Sequence, residues 1–383
     1  MRRDSIDALL ALVRAGLWEQ AVRLAPSKRI DYKEVYRLSE EQAVVGIVSS
    51  GLEHLDVRGG AGGVYCELTE EESFLFVVAT LQLEERNIAM NDFIVSLLDK
   101  MHSVGVFPIL VKGQGIAQCY SRPLRRSCGD IDFLLNETYY NEAIQVLTPL
   151  ASVVEKEIEF SKHRALTIDE WVVELHGSLH GGLWKRMDSF LDSVQDAILQ
   201  KGRVRTWQNG NTTVLLPAAD EDVVYVFAHI LEHFFHEGVG LRQICDWTRL
   251  LWRFKESLDT DLLEARLKRM GALSEWKAFG AFAVNYLGMP QTAMPLYSSN
   301  AKWRKKAHRI LSFMIETGSF GHNRDFSYHN KETFIKRKWI SFRRHTKDAA
   351  KYFVIFPADA IKLWWRMLTG GICGGVRQLW NKQ

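Results

Sequence analysis

Along the first hundred residues, apolar side chains recur at every third or fourth position, most clearly over 31–55 and 69–103, with few glycines or prolines between them. That spacing gathers them on one helical face, so residues 1–104 are expected to form a helical N-terminal region. Gly59, Gly60, Gly62 and Gly63 mark a loop inside it. The texture changes at Phe107-Pro108-Ile109-Leu110-Val111, a short apolar run suited to a buried strand, followed by Lys112-Gly113-Gln114-Gly115 and a helical stretch to Tyr120. Residues 131–135 read as a second strand, and 137–147 as a helix opened by Asn136 as N-cap. Further strands are expected at 152–160, 165–168 and 171–176. After a helix over 183–199, the runs 204–208 and 212–216 flank Asn209-Gly210-Asn211, the pattern of a hairpin with an Asn-Gly turn. From Asp220 onward the pattern is helical. The expected fold is α+β: a small mixed sheet over 105–217, a helical domain packed on it over 218–300, and a helical tail over 301–383.

Composition narrows the class. With 383 residues, 47% hydrophobic and 25% charged, the chain can bury a sizeable core, which excludes an intrinsically disordered protein. Its five cysteines (Cys66, Cys119, Cys128, Cys245, Cys373) contain no C-x-x-C pair, so reduced thiols are expected rather than a disulfide framework or a structural zinc. The start, MRRDSIDALLALVRAGLWEQ, meets Asp4, Asp7 and Arg14 before an apolar run long enough for a signal peptide forms. The apolar stretch 352–368 is interrupted by Pro357, Asp359, Lys362 and Arg366, short of the ~20 apolar residues a spanning helix needs. A cytoplasmic protein is expected, peripheral to a membrane at most. Charge is uneven: residues 301–383 hold 18 Lys/Arg against 5 Asp/Glu, so the tail is +13 and the rest −10. Trp303, Trp339, Trp364, Trp365 and Trp380 lie there too. Such a segment suits an anionic membrane surface or nucleic acid, or else the solvated basic face of a helical lid.

The candidate chemistry lies in Gly129-Asp130-Ile131-Asp132. Aspartates at i and i+2 of a strand point to the same side of a sheet, so Asp130 and Asp132 converge as hard oxygen ligands for Mg²⁺ or Mn²⁺. They open an apolar strand, where carboxylates are unfavourable without a compensating cation or hydrogen bonds. Lys112-Gly113 ends the preceding strand, where glycine permits close approach of a phosphate. Arg122, Arg125 and Arg126 stand four to eight residues before Asp130; one could grip phosphate oxygens, or all could balance the aspartates. Glu174, inside Trp171-Val172-Val173-Glu174-Leu175-His176, is the candidate third carboxylate.

Together, Val111-Lys112-Gly113, then Tyr120, Pro123, Arg126 and Gly129-Asp130-Ile131-Asp132-Phe133-Leu134-Leu135, then Val173-Glu174-Leu175-His176, resemble the uncharacterised nucleotidyltransferase family of the polymerase-beta-like superfamily. The likeness is most specific over 105–180 and extends more loosely to about 255 through His229, His233, Gly238, Leu241, Arg242 and Asp246. It implies a small mixed-sheet nucleotidyltransferase core flanked by N-terminal and C-terminal helical regions. It also implies a divalent metal on Asp130, Asp132 and Glu174, a nucleoside triphosphate donor (ATP first among them), and an acceptor of unknown kind. Lys112, Gly113, Arg126 and Gly129 are then expected at the nucleotide, and His176, His233, Arg242 and Asp246 near the acceptor or behind the ligands. The sequence departs from the superfamily's common Gly-Ser element, with Lys112-Gly113 in its place.

Other groupings point less clearly. His229, His233 and His236 share a helical face near Glu232 and Glu237, but the arrangement is not H-E-x-x-H, so a zinc hydrolase is disfavoured. His163, His176 and His180 are candidate bases near Glu174, or structural hydrogen-bonding groups. Ser127-Cys128 has no His/Asp partners recognisable in sequence, which disfavours a nucleophilic mechanism. The competing functions are a catalytically silent binding module of the same fold, and a membrane-surface or nucleic-acid binder using the basic tail.

Overall fold

The computed structural model describes residues 2–24, 29–56, 66–236, 238–319 and 334–365. The glycines at 59–63, Glu237, Cys373, Trp380 and the stretch 366–383 lie outside the described residues, as does the Trp339 side chain.

Four helices precede the sheet: α1 (Arg2–Trp18), α2 (Tyr32–Glu41), α3 (Val45–Leu52) and α4 (Glu70–His102). The stretch 31–55 forms two of them, because Ala43 sits at φ 54 and ends the helical path. The 33-residue α4 opens with a reciprocal capping box, Thr69 with Glu72. Three glutamates fill its first turn and Lys100 and His102 its last, each matched to the helix dipole. Thr69→Ala is expected to destabilise the protein by about 1 kcal/mol, read as a shifted urea midpoint at unchanged slope.

The sheet has seven strands: β1 (Ile109–Val111), β2 (Asp130–Leu134), β3 (Val153–Val154), β4 (His163–Ile168), β5 (Trp171–His176), β6 (Val204–Asn209) and β7 (Thr212–Pro217). Their order is β3-β4-β5-β2-β1-β7-β6, with β2·β5 and β1·β7 parallel and the other pairs antiparallel. The fold is α+β, as expected. Two details differ from the sequence reading. Only Val153–Val154 of the expected strand 152–160 is one, an exposed edge pair. The β6–β7 turn places Gly210 (φ 59) and Asn211 at its centre, so the left-handed residue comes first. Between the strands lie α5 (Gly113–Ala117) and α6 (Glu137–Leu147), the latter capped by the Asn136 side chain, which accepts from the Tyr139 amide.

Period-two alternation divides the central strands between two tasks. Ile131, Phe133, Val173, Leu175 and Leu166 form one face and pack with Met90, Ile94 and Leu97 of α4 and Tyr140 and Ala143 of α6. The residues between them, Asp130, Asp132, Glu174, His176 and His163, face the other way, towards the C-terminal helices.

Those helices are α7 (Lys185–Leu199), α8 (Ala219–His236), α9 (Leu241–Phe254), α10 (Thr260–Met270), α11 (Leu273–Leu287), α12 (Ala301–Thr317) and α13 (Phe334–Ile355), followed by a helical run over 357–365. Phe227, Trp247, Trp276 and Phe279 meet at their centre, with ring centroids 4.7–6.0 Å apart in the contacting pairs. The N-terminal helix joins the same core: Trp18 Nε1 donates to the Leu287 carbonyl (2.5 Å), and the Arg249 guanidinium donates to Leu17 and Cys119 carbonyls (2.7 and 2.9 Å). No helix among the described residues is long and apolar enough to cross a membrane. The four described cysteines are buried and form no disulfide with one another.

Candidate active site

Strand register brings the carboxylates together. Asp132 and Glu174 are direct partners across the parallel β2·β5 pair, and Val111 is the partner of Asp132 across β1·β2. Lys112, the next residue after Val111, adopts φ 57, a left-handed conformation rare for a lysine and one that functional sites hold under strain. Its ammonium lies 2.7 Å from Asp132 Oδ1. Gly113 follows at φ 43, where an L side chain would be strained and its Cβ would come within 3.3 Å of Cys128 Sγ.

Asp132 is 1% exposed and its Oδ1 also takes His176 Nε2 at 2.9 Å. His176 Nε2 stands 3.4 Å from Glu174 Oε2, and His163 Nε2 stands 3.2 Å from the same oxygen. The two imidazoles stack at 4.6 Å, tilted by 11°. Asp130 is half-buried, and among the described residues no hydrogen bond or ion pair reaches its carboxylate.

These contacts set the charges. Burial raises the Asp130 carboxyl above its ordinary range and the neighbouring Asp132 adds to that, with Lys112 opposing. Burial opposes ionisation of Asp132 as well, yet the Lys112 ammonium and His176 together hold it below the ordinary value. Glu174 is held well below the usual carboxylate range: burial is outweighed by the imidazoles of His163 and His176 beside it, with Lys112 adding to them. For His176, burial favours the neutral ring, but Asp132 and Glu174 raise its pKa above 6.5. His229, across the cleft on α8, is held neutral by burial, Lys112 and His233. A histidine whose pKa is raised by folding contributes stability that is complete below its ordinary pKa and is lost as pH rises through the folded one. Urea unfolding is therefore expected to lose more free energy between about pH 6 and pH 9 in the parent than in His176→Gln. Parallel profiles would dissociate His176 from the carboxylates.

Two cavities adjoin this constellation. One, of about 270 Å³, is lined by Lys112, Gly113, Arg126, Asp130, Asp132 and Glu174 below and by His229, His233, Arg242 and Asp246 of α8 and α9 above. The other, of about 430 Å³, lies towards β4 and α7 and shares Lys112, Glu174, His229 and His233 with the first. A third, of about 330 Å³, sits between α3 and α4, away from the carboxylates.

Nine of the eleven residues singled out in the sequence thus line the first cavity; His176 lines the second, and exposed Gly129 lines neither. The arginines differ from expectation. Arg122 and Arg125 pair with Glu53, and Arg125 also with Glu84, on the outer side of the loop. Arg126 clasps Asp246 through Nη2 (2.6 Å) and Nε (3.1 Å), and the Tyr120 hydroxyl donates to the same carboxylate (2.8 Å). Its remaining Nη1 is buried without a hydrogen-bond partner. Arg242 donates to the Ser127 carbonyl at 3.0 Å. His229 and His233 face each other at 2.9 Å, while His180 pairs with Asp192 at 2.6 Å.

The donor sets fit different ions. Asp130, without a partner, and Asp132, already holding a cation in the form of Lys112, offer hard oxygens suited to Mg²⁺ or Mn²⁺. His163, Glu174 and His176 also present ligand atoms within 4.8 Å of one another, a set that would suit zinc by type. His163 Nε2 makes no hydrogen bond there, and His176 Nε2 is engaged by Asp132. Sequence reading missed the Lys112–Asp132 pair and the Tyr120–Asp246–Arg126 brace. Register arithmetic could have found the first; the second joins residues more than a hundred positions apart and leaves no local signal.

None of the curated proteins and none of the solved structures compared with the chain matches it. One protein family does, described as uncharacterised nucleotidyltransferase, over residues 28–288, a span that includes α2 to α11 and every residue of the two cavities. A nucleotidyltransferase-type function accords with the paired aspartates in a cleft that also holds Lys112, Arg126 and Arg242. On that match, the chain belongs to the uncharacterised nucleotidyltransferase family.

Proposed function

We propose that the protein is a metal-dependent nucleotidyltransferase that moves a nucleotidyl group, adenylyl first among the candidates, from a nucleoside triphosphate to an acceptor hydroxyl. The observation that carries this reading is the single cavity in which Asp130, Asp132 and Glu174 face Lys112, Arg126 and Arg242. Asp130 and Asp132 would hold Mg²⁺ or Mn²⁺, which supplies charge neutralisation at the triphosphate. Lys112, released from Asp132 when that carboxylate has another cation, is within reach of phosphate oxygens in the same cavity. The unpartnered Nη1 of Arg126 offers a donor there with its guanidinium already fixed by Asp246, so little reorganisation accompanies binding. Glu174, beside His163 and His176, would accept a hydrogen bond from the incoming hydroxyl and hold it for attack.

Calorimetric titration with a non-hydrolysable ATP analogue tests it, with and without Mg²⁺ or Mn²⁺. Binding is expected to require the metal and to be lost in Asp130→Asn/Asp132→Asn. A folded parent that binds none of the four triphosphate analogues would leave a silent module of the same fold.

A further inference from the structure

The larger cavity shares Lys112 and Glu174 with the triphosphate side but, among the described residues, holds none of its arginines. We infer that it is the acceptor chamber, and that the acceptor is a small hydroxyl compound, neutral or cationic, with an apolar face. This inference rests on the transferase reading above. At about 430 Å³ the chamber is within the size range of small-molecule sites, ~300–1,000 Å³.

Its walls distinguish it from the triphosphate side. Arg126 and Arg242 line the smaller cavity, whereas among the described residues no arginine lines the larger one. Lys112 is its ammonium and His176 lies beside it, both in contact with Asp132. Facing them are the carboxylates of Glu174 and Glu232. Gly181 permits the second of these: a Cβ at that position would stand 2.3 Å from Glu232 Oε2. An anionic acceptor would be desolvated beside two carboxylates with no guanidinium to receive it, which is strongly unfavourable. A hydroxyl or ammonium group can instead be satisfied by Glu232, Ser178 or His163, while Leu179, Leu183 and Met187 supply apolar contact. Phe160, 59% exposed, stands at the rim with its ring 5.7 Å from that of His180.

Transfer from this chamber balances simply. The acceptor oxygen forms a bond to the α-phosphorus, the bond from that phosphorus to the bridging oxygen breaks, and pyrophosphate leaves with the electron pair. The hydroxyl proton leaves along its hydrogen bond to Glu174 and is released to solvent water.

Three phenols of matched shape and different charge test the assignment: tyramine, para-ethylphenol and para-hydroxyphenylacetate. Each is titrated into the full chain loaded with Mg²⁺ and the ATP analogue, and each is offered as acceptor with α-labelled ATP. Tyramine and para-ethylphenol are expected to bind and take label at least ~10-fold better than the carboxylate, the size of a ~1.4 kcal/mol preference. Ser178→Trp, which fills the chamber, is expected to reduce both by at least ~10-fold while analogue binding stays within ~2-fold. Phe160→Ala, at an exposed position that leaves the core intact, should weaken phenol binding in the same selective way. The assignment is overturned if para-hydroxyphenylacetate is preferred, if both variants leave phenol binding unchanged, if label appears only on added protein or RNA, or if no phenol binds a protein that binds the analogue. Failure of the parent to bind the analogue at all overturns the transferase reading itself.

Discussion

Asp132→Asn is expected to destabilise the metal-free protein by about 3–5 kcal/mol, whereas Asp130→Asn, two residues away on the same strand face, leaves it as stable or more so. The difference follows from what each carboxylate touches. Asp132 is buried and holds both Lys112 and His176; an amide there leaves the Lys112 ammonium, 14% exposed, without its charge partner. Among the described residues Asp130 has no partner, and its ionised form is disfavoured by burial and by Asp132, so neutralising it relieves a strain present only when no metal is bound. Both single variants should lose metal-dependent analogue binding. Urea unfolding in a chelator separates the two effects. Equal losses of stability from the two asparagines would refute the idea that Lys112 serves as the resident counter-charge.

Asp246→Ala should be comparably damaging, again by about 3–5 kcal/mol, because it leaves the Arg126 guanidinium buried without its charge partner and the Tyr120 hydroxyl without an acceptor. Arg126→Met/Asp246→Leu, which removes both charges and fills their space, is expected to recover most of that stability. It would also delete a donor from the triphosphate cavity, so weakened analogue binding in a well-folded double variant would assign Arg126 a binding role beyond the brace. Unfolding midpoints and calorimetry on the same preparations provide both readings.

The elements legible in the sequence were those whose signal is local. Period-two alternation in 171–176 and the Asn136 cap predicted β5 and α6 at their observed positions, and Asp130 and Asp132 share a face because alternation leaves no other outcome. The strand expected at 152–160 shrank to two residues because no neighbour covers it: Val153 and Val154 remain exposed at the sheet edge. The three arginines of the loop divide for a different reason. Charge spacing along the chain does not reveal that α4 fixes the loop through Asn87, which donates to the Leu124 and Arg126 carbonyls at 2.6 and 2.9 Å. That anchoring turns Arg122 and Arg125 outward to Glu53 and Glu84 and leaves only Arg126 facing α9. The second cavity had no local sequence signature, since its walls come from Lys112, 158–191 and 225–233 and meet only through the packing of α8 on the sheet.

The contact between Trp18 and the Leu287 carbonyl has a consequence for how the chain is made. Its two ends are 269 residues apart in sequence. At ~5–20 residues per second, a ribosome needs roughly 15–50 s to synthesise the second after the first. During that interval α1 has α3 to pack against but not α11, and the acidic face of the sheet emerges before α8 and α9 can cover it. Loop closure over such a separation is slow and exposes apolar surface meanwhile. The yield of native protein should therefore depend on translation speed and on chaperones during synthesis, even for variants whose equilibrium stability is unchanged.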